Sequence, residues 1–575
     1  MKRMALLLLP ALVLACAGIA FCAEPKAAVS QRLVYIQTNL LVDKNIADVL
    51  SVLQRAAKAG YNGIVIADSK FMRWDNLPPK YLANVRKVRQ ACTDLKLALL
   101  PCVMPIGYSN DLLGRDPNLA EGLPVKDAPF VVRDGRLVPE ADPETKLLNG
   151  SFEEHKGDMP TGWNFADQPG KITFVDNDVV SEGKTSLRME DIGRHDPQYG
   201  HGRIMQKLRV RPFRYYHLSV MVKTQDFAGE GEIRATVLGA GGVMLSYHMP
   251  PIATTQDWTR VDVTFNTLEF SEVALYLGIW GPRNGKIWWD DVRLEPGKLV
   301  NAVRREGAPL RVISEDGKTT YVESKDFDNA RDPLLGNDPY AGSFSAWHKE
   351  PVITVPAGSA LKEGQRVLLS YCQTPIIYND QVMCCMCEPK VYDICRWQIE
   401  QVKAAMQPDG YFMSHDEMRV QGWDESCVKS GQTPGQILAD NVARCAQIIR
   451  ETDPGKPIYV WSDMFDPYHN ARQTGRYYLV KGDGPWYDSW KGLPKDVIVG
   501  NWNSNPKQRV ESLKHFEALG NPQFLAGYYD ADPSRITGWL ADAAGIRGLT
   551  GVMYTTWRKQ YRDLERFAEI CWGKP

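Results

Sequence analysis

Short apolar runs, each followed by an amphipathic stretch of helical period, constrain this chain more than any other feature. "LVYIQTN" (33–39) precedes such a stretch at 43–59, "NGIVIAD" (62–68) precedes one at 79–95, and "LALLPCVMP" (97–105) is the third run. After a long interruption the rhythm resumes with a helical stretch at 389–407 and "GYFMSHDE" (410–417). "PIYVWSDM" (457–464), "DVIVGNWN" (496–503), "QFLAGYYD" (523–530) and "LTGVMYTTW" (549–557) follow, with helices predicted at 434–451, 506–519, 533–543 and 560–571. Runs rich in β-branched and aromatic residues that alternate with helices are βα units, and a strand covered on both faces reads as a continuous apolar run. Three runs before the interruption and five after it give the count of a (β/α)8 TIM barrel. "RVLLSYC" (366–372) is a ninth candidate strand and is assigned to the interruption. The expected class is therefore α/β, a TIM barrel interrupted after strand 3 by a β-sandwich.

That sandwich is read from the interruption itself. Residues 147–295 alternate with period two, are rich in turn residues and hold no long helical stretch, the pattern of a β-sandwich. The segment opens "LLNGSFEE" and closes "GKIWWDDVRLEP", with Trp163, "YYHLSVMVKT", "DWTRVDVTF" and "VALYLGIWG" between. This order resembles the jelly-roll carbohydrate-binding modules found beside secreted glycosidases. In that group the opening and closing motifs often hold a structural calcium, which the resemblance places on Glu153 and Asp291; carboxylate oxygens suit that hard cation. The expected division is a first barrel part at 30–140, the sandwich at 147–295, an insertion at 300–388 that returns to the barrel, and a second barrel part at 389–575.

The first 22 residues read as an export signal, with Lys2 and Arg3 before the apolar run Ala5 to Leu14 and then small residues. That run is shorter than the roughly 20 residues of a membrane span. "VLAC" ending at Cys16 also resembles a lipobox, so the alternatives are plain secretion and lipidation at Cys16. Either way the mature chain is expected outside the cytoplasm, periplasmic or extracellular, with no transmembrane segment after signal cleavage. A formal net charge of −1 offers no basic field for nucleic acid. Of the 12 cysteines, "CCMC" (Cys384, Cys385, Cys387) suggests a metal site. No second Cys-x-x-Cys or His pair accompanies it, which favours buried or disulfide-bonded cysteines.

Catalytic groups of such barrels stand at the C-terminal strand ends. Those ends carry Gln37 and Asn39; Asp68; His415, Asp416 and Glu417; Trp461 and Asp463; Asn501, Trp502 and Asn503; Tyr528, Tyr529 and Asp530; Tyr554 and Trp557. Acids, amides and aromatics suit a sugar, whose ring stacks on Trp and whose hydroxyls bond to Asp and Asn. Sixteen tryptophans and 24 tyrosines lean the same way. Glycoside hydrolysis ordinarily needs two separated carboxyls, whereas the Cα atoms of Asp416 and Glu417 are about 3.8 Å apart. Adjacent acids suit a different division of labour, in which the substrate's own acetamido oxygen attacks the anomeric carbon.

An Asp-Glu pair ending strand four of such a barrel resembles the family 20 glycoside hydrolases, the β-N-acetylhexosaminidases. "VWSDM", "GNW", a Tyr ending strand seven (Tyr528 or Tyr529) and Trp557 match the later segments loosely. The resemblance implies that Asp416 orients the acetamide, that Glu417 protonates the leaving oxygen, and that Trp461, Asp463, Trp502, Tyr528 or Tyr529 and Trp557 line the sugar site. His415 is expected to orient or hydrogen-bond the neighbouring acids. The chain departs from the family in reading Met-Ser-His-Asp-Glu for His-x-Gly-Gly-Asp-Glu, Gln37-Thr38-Asn39 where an Arg ends strand one, and Arg558 where a Glu follows the strand-eight Trp. The expected function is hydrolysis of an oligo- or polysaccharide or glycoconjugate without a catalytic cofactor. The alternatives are a glycosidase for a sugar lacking the acetamido group and a non-catalytic glycan-binding protein with a degenerate barrel.

Overall fold

A computed structural model describes residues 29–573 apart from Tyr199 and the Asn379 side chain; the export-signal reading of 1–22 and the lipobox at Cys16 lie outside the described residues. Eight parallel strands close into a barrel: Gln31–Gln37, Gly63–Ala67, Ala98–Val103, Tyr411–Met413, Ile458–Trp461, Ile498–Asn501, Gln523–Tyr528 and Leu549–Thr555. They are the eight runs read from the sequence. Leu33, Tyr35, Val65, Leu100, Phe412, Tyr459, Trp461, Phe524 and Met553 fill the interior as one apolar cluster. The alternate residues, among them Val34, Ile36, Ile64, Ile66, Met413, Val460 and Val552, join a second cluster shared with the helices. Both faces are thus buried along the middle of the strands, the physical reason the runs are mainly apolar there.

Helices Asp43–Lys58, Pro79–Asp94, Pro389–Met406, Pro434–Thr452, Arg509–Leu519, Ile536–Asp542 and Leu564–Trp572 fall between or after these strands. Their starts follow local chemistry. Proline opens three of them, where its missing N–H costs nothing. Thr433 and Gln436 form a reciprocal capping box on Pro434–Thr452.

Between the third and fourth barrel strands the chain builds three larger sheets and the small ribbon His155–Lys156 with Met159–Pro160. Two are five-stranded, in the spatial orders Gln256–Asn266, Tyr215–Gly229, Arg283–Pro296, Ser186–Glu190, Thr173–Asp176 and Val243–Met244, Glu232–Gly239, Glu272–Trp280, His201–Arg209, Phe165–Ala166. All their pairings are antiparallel. Leu187, Leu218, Val220, Val237, Leu275, Leu277 and Trp289 are buried in this part. The third is a seven-stranded sheet in which Arg366–Gln373 pairs with Leu123–Arg133 and Arg311–Ser314. The ninth candidate run thus lies outside the barrel, its hydrogen bonds satisfied by antiparallel neighbours.

The two sandwich carboxylates expected on calcium make other bonds. Glu153 Oε1 accepts from the backbone N–H groups of Lys184 and Thr185 at 2.7 and 3.1 Å, and Asp291 Oδ1 accepts from Arg293 Nε at 2.6 Å. Asp290, fully buried, takes the inward place, accepting from Ser181 N and Glu182 N. Both carboxylates are thus engaged by N–H donors of the protein itself.

Candidate active site

The fourth barrel strand ladders only through Met413, three residues short of the acids. Beyond it the chain is pinned by Ser414 N donating to Val103 O at 2.9 Å and Ile106 N donating to Ser414 O at 3.1 Å. Gly107 lies so close that a β-carbon there would stand 1.8 Å from the Asp416 carbonyl oxygen, so only glycine admits this approach. Glu417 has φ +47°, a left-handed backbone that turns its side chain away from the direction of Asp416.

Asp416 and Glu417 therefore meet different neighbours. Glu417 Oε2 accepts from Tyr108 Oη at 2.6 Å and pairs with Arg419 Nη2 at 2.7 Å. Arg419, buried, also donates to Gln381 Oε1, and Gln381 Nε2 in turn donates to the carbonyls of Gly107 and Glu417. Asp416 keeps some residue surface at the mouth, but its Oδ1 is enclosed and unpartnered. Burial, then the charges of Asp463 and Glu417, push the Asp416 carboxyl up to about 8.

Asp463, fully buried just past the fifth strand, completes the cluster. It accepts from Glu417 N at 3.0 Å, Asn470 Nδ2 at 2.9 Å and Trp502 Nε1 at 3.1 Å. Burial pushes it up to about 7 against those three donors. A pair of buried acids that favours its protonated forms near neutrality can hold and release a proton there.

An aromatic wall surrounds the acids. Tyr35 lies 5.1 Å from Trp557 and 5.9 Å from Trp461, and Tyr529 stacks on Trp502 at 6.0 Å and sits 6.2 Å from Trp557. Trp557 is 43% exposed, a ring free to meet a ligand, whereas Trp461 is 2% exposed and fills the barrel. The Tyr529 hydroxyl is enclosed without a partner. Burial, then the charges of Asp463, Asp416 and Glu417, raise its pKa well above the ordinary phenol value.

Two residues expected at the site lie elsewhere. His415 is fully buried on the helix side, its Nε2 2.9 Å from Asn441 Oδ1, and burial lowers its pKa to about 4. It neither bonds the neighbouring acids nor faces a sugar site: past the ladder's end at Met413 its ring turns to helix Pro434–Thr452, where Asn441 holds it. Tyr528 also faces outward, stacked on Tyr554 at 4.1 Å and donating to Asp563. Of the two tyrosines, Tyr529 is the one beside the acids. Asp68 and Asp530 serve as local caps: Asp68 accepts from Leu40 N, Lys70 N and Tyr81 Oη, and Asp530 from Trp557 N and Arg558 N.

Sequence reasoning missed Tyr108, Arg419 and Gln381, which come from loops of no regular period. Arg419, two residues past Glu417, was the one within reach of a local reading. The five-stranded sheets also approach this rim: Tyr247 packs on Tyr378 at 5.5 Å and Tyr478 at 5.0 Å, and Tyr478 lies under the Arg419 guanidinium.

No protein-family model matches the chain, and no curated protein matches it. Solved structures similar to it include TmCBM61 in complex with β-1,4-galactotriose, at 14% identity and TM-score 0.21 over 26% of this chain and 98% of that one. A second is a family 16 carbohydrate-binding module, at 18% identity and TM-score 0.18 over 26% and 97%. A rhamnosidase from Novosphingobium sp. PP1Y matches at 12% identity and TM-score 0.26, over 88% of this chain and 52% of that chain. Likenesses at such scores carry no functional argument, and the reading below rests on the site.

Proposed function

We propose that the chain is an exported glycoside hydrolase, a (β/α)8 TIM-type barrel interrupted after its third strand by a jelly-roll sandwich. In this reading a sugar ring lies against Trp557, Trp502 and Tyr529 at the barrel mouth, and Asp416 is the proton donor. The observation that carries it is the gathering of Asp416, Glu417 and Asp463 at one rim, with Asp416 Oδ1 enclosed and unpartnered and the carboxyl shifted to about 8. A carboxylic acid that keeps its proton at neutral pH is what protonation of a glycosidic oxygen requires. Glu417, held by Arg419 and Tyr108, supplies the second carboxyl. This exchanges the roles that the resemblance to the family 20 glycoside hydrolases implies, in which Glu417 is the acid.

The acetamido-assisted form of the reaction has a specific observation in its favour. Asp416 Oδ1, an acceptor, and the Tyr529 hydroxyl, a donor, are both buried and unpartnered in one acid cluster. A substrate amide would satisfy both, its N–H on Asp416 and its oxygen on Tyr529, and Glu417 would then be the proton donor.

Release assays over aryl N-acetylhexosaminides and plain hexosides test both forms. Asp416→Asn should lower turnover about 10²–10⁴-fold on poor leaving groups and much less on an activated aryl group. Equal losses on both would remove Asp416 as the acid. Hydrolysis confined to N-acetylhexosaminides, with tight binding of a thiazoline analogue, would select the assisted form. Glycan binding with no release from any substrate would leave a binding protein and overturn the enzyme reading.

A further inference from the structure

Away from the acids, three thiols and two carboxylates converge where the interruption rejoins the barrel. The segment 383–385 pairs antiparallel with 119–121, Cys385 N donating to Leu119 O and Glu121 N to Met383 O, both at 2.8 Å. This pairing sets the Cys385 side chain towards the short helix Glu425–Ser430, whose Cys427 Sγ lies 3.5 Å from Cys385 Sγ. The sulfurs of Cys385, Cys387 and Cys427 all lie within 4.8 Å of one another, as do the ligand atoms of Glu121, Cys385, Asp424 and Cys427.

We propose that Cys385, Cys387 and Cys427 form a structural site for a thiophilic divalent cation, zinc foremost, with Glu121, which lies within 4.8 Å of Cys385 and Cys427, shifting in to close the fourth position. Tetrahedral zinc with bonds of about 2.3 Å sets its sulfurs about 3.8 Å apart, close to the 3.5 Å between Cys385 and Cys427. All three are free thiols here, and three thiols cannot all pair in disulfides with one another. Glu121 is the better fourth ligand of the two acids. Its Oε1 accepts from Trp423 N, and its Oε2 accepts from Gln421 Nε2 at 3.3 Å and lies 3.4 Å from Cys427 Sγ, whereas Asp424 Oδ2 is paired with Arg305. Glu121 is wholly buried and the Arg305 guanidinium is the cation whose charge reaches it, without a direct ion pair between the two among the described residues. An outer layer is in place as well: Gln421 Nε2 lies 2.8 Å from Cys427 Sγ, and Asp424 Oδ1 accepts from Cys427 N.

The site would clip together the segment after the third barrel strand, the entry to helix Pro389–Met406 and the loop after the fourth strand. That last loop carries Arg419, the partner of Glu417. Its lone Cys-x-Cys spacing hid it, because the third sulfur is 40 residues downstream of Cys387.

The test uses the full chain purified without reductant. Elemental analysis should find zinc at one per chain. Cobalt(II) added to the chelator-stripped protein should give the thiolate charge-transfer and visible bands of tetrahedral sulfur coordination, and stripping should lower the melting temperature. Cys387→Ser, at a half-buried position, should lose the cobalt spectrum while keeping the circular-dichroism spectrum of the folded chain, and Glu121→Gln should weaken zinc binding about 10–100-fold. No retained metal together with no cobalt spectrum in the wild-type protein would overturn the proposal. So would a Cys385–Cys427 disulfide in the peptide map, or an unchanged cobalt spectrum in Cys387→Ser.

Discussion

The peptide N–H of Glu417 donates to Asp463 Oδ2 at 3.0 Å, tying the end of the fourth barrel strand to the end of the fifth. The bond depends on the left-handed backbone at Glu417, which aims the N–H at the buried acid and the side chain at Arg419. One carboxylate thus fixes the backbone that presents the other.

Replacing Asp463 tests that relationship. Asp463→Ala leaves the Glu417 N–H, the Trp502 indole N–H and the Asn470 amide without their acceptor. The expected cost is at least about 1–3 kcal/mol, the penalty of one buried group left unsatisfied, read from urea denaturation. Asp463→Asn keeps an acceptor and should lose less stability while still losing activity. Equal stability in all three proteins would mean that the bonds hold nothing in place.

The contribution of Asp416 and Asp463 to stability should fall as pH rises from about 4 to about 8. An unfolded Asp releases its proton near 3.9, whereas burial and neighbouring charge hold folded Asp416 up to about 8 and Asp463 to about 7. In that window the folded state binds more protons than the unfolded one, so the unfolding free energy declines with pH. Asp416→Asn has no proton to lose, and its urea midpoint should fall less between pH 5 and 8. An identical slope would show that Asp416 titrates normally. If Asp416 is the acid, activity should also be lost on the alkaline side as it ionises.

Gly107→Ala should damage the site without touching an acid. The new methyl would stand 1.8 Å from the Asp416 carbonyl oxygen, and the three nearest atoms are all Asp416 backbone. Overpacking of this kind costs about 1–3 kcal/mol, and the displaced Asp416 should lower turnover more than substrate binding. Gly538, in helix Ile536–Asp542 with open space at its Cβ position, is the control. Gly538→Ala should be neutral or stabilising by up to about 1 kcal/mol. Matching melting curves and rates for the two variants would contradict the close approach.

Arg419→Met should release Glu417 from its charge partner and leave Gln381 Oε1 without its donor. A hydrogen bond to a charged group is worth about 1.5–3 kcal/mol, so the melting temperature and turnover should both drop. Arg419→Lys keeps the charge but not the forked geometry, and should recover only part of the loss. Full recovery would mean that charge alone matters.

Residues 145–297 expressed alone should give a soluble domain with a β-type circular-dichroism spectrum, since the pairings of that segment are antiparallel and internal to it. Insoluble or largely helical material would mean that the sheets need the barrel rim to fold.

The eight barrel strands and the change of period in the interruption were legible in the sequence, because each is set by local rules: apolar runs where both faces are buried, alternation where one is. The nomination of Asp416, Glu417 and Asp463 was legible too, since strand ends mark where such a barrel carries side chains. What each acid meets was decided only in three dimensions. A left-handed backbone at Glu417 and a glycine at position 107 separate two adjacent carboxyls into unlike surroundings, and no local pattern carries that information. The outward turn of His415 and Tyr528, the partnership of Arg419 with Tyr108, and the approach of Cys427 to Cys385 arise the same way. They depend on contacts between segments distant in the chain, whose positions follow from packing of the whole molecule and from no single stretch of it.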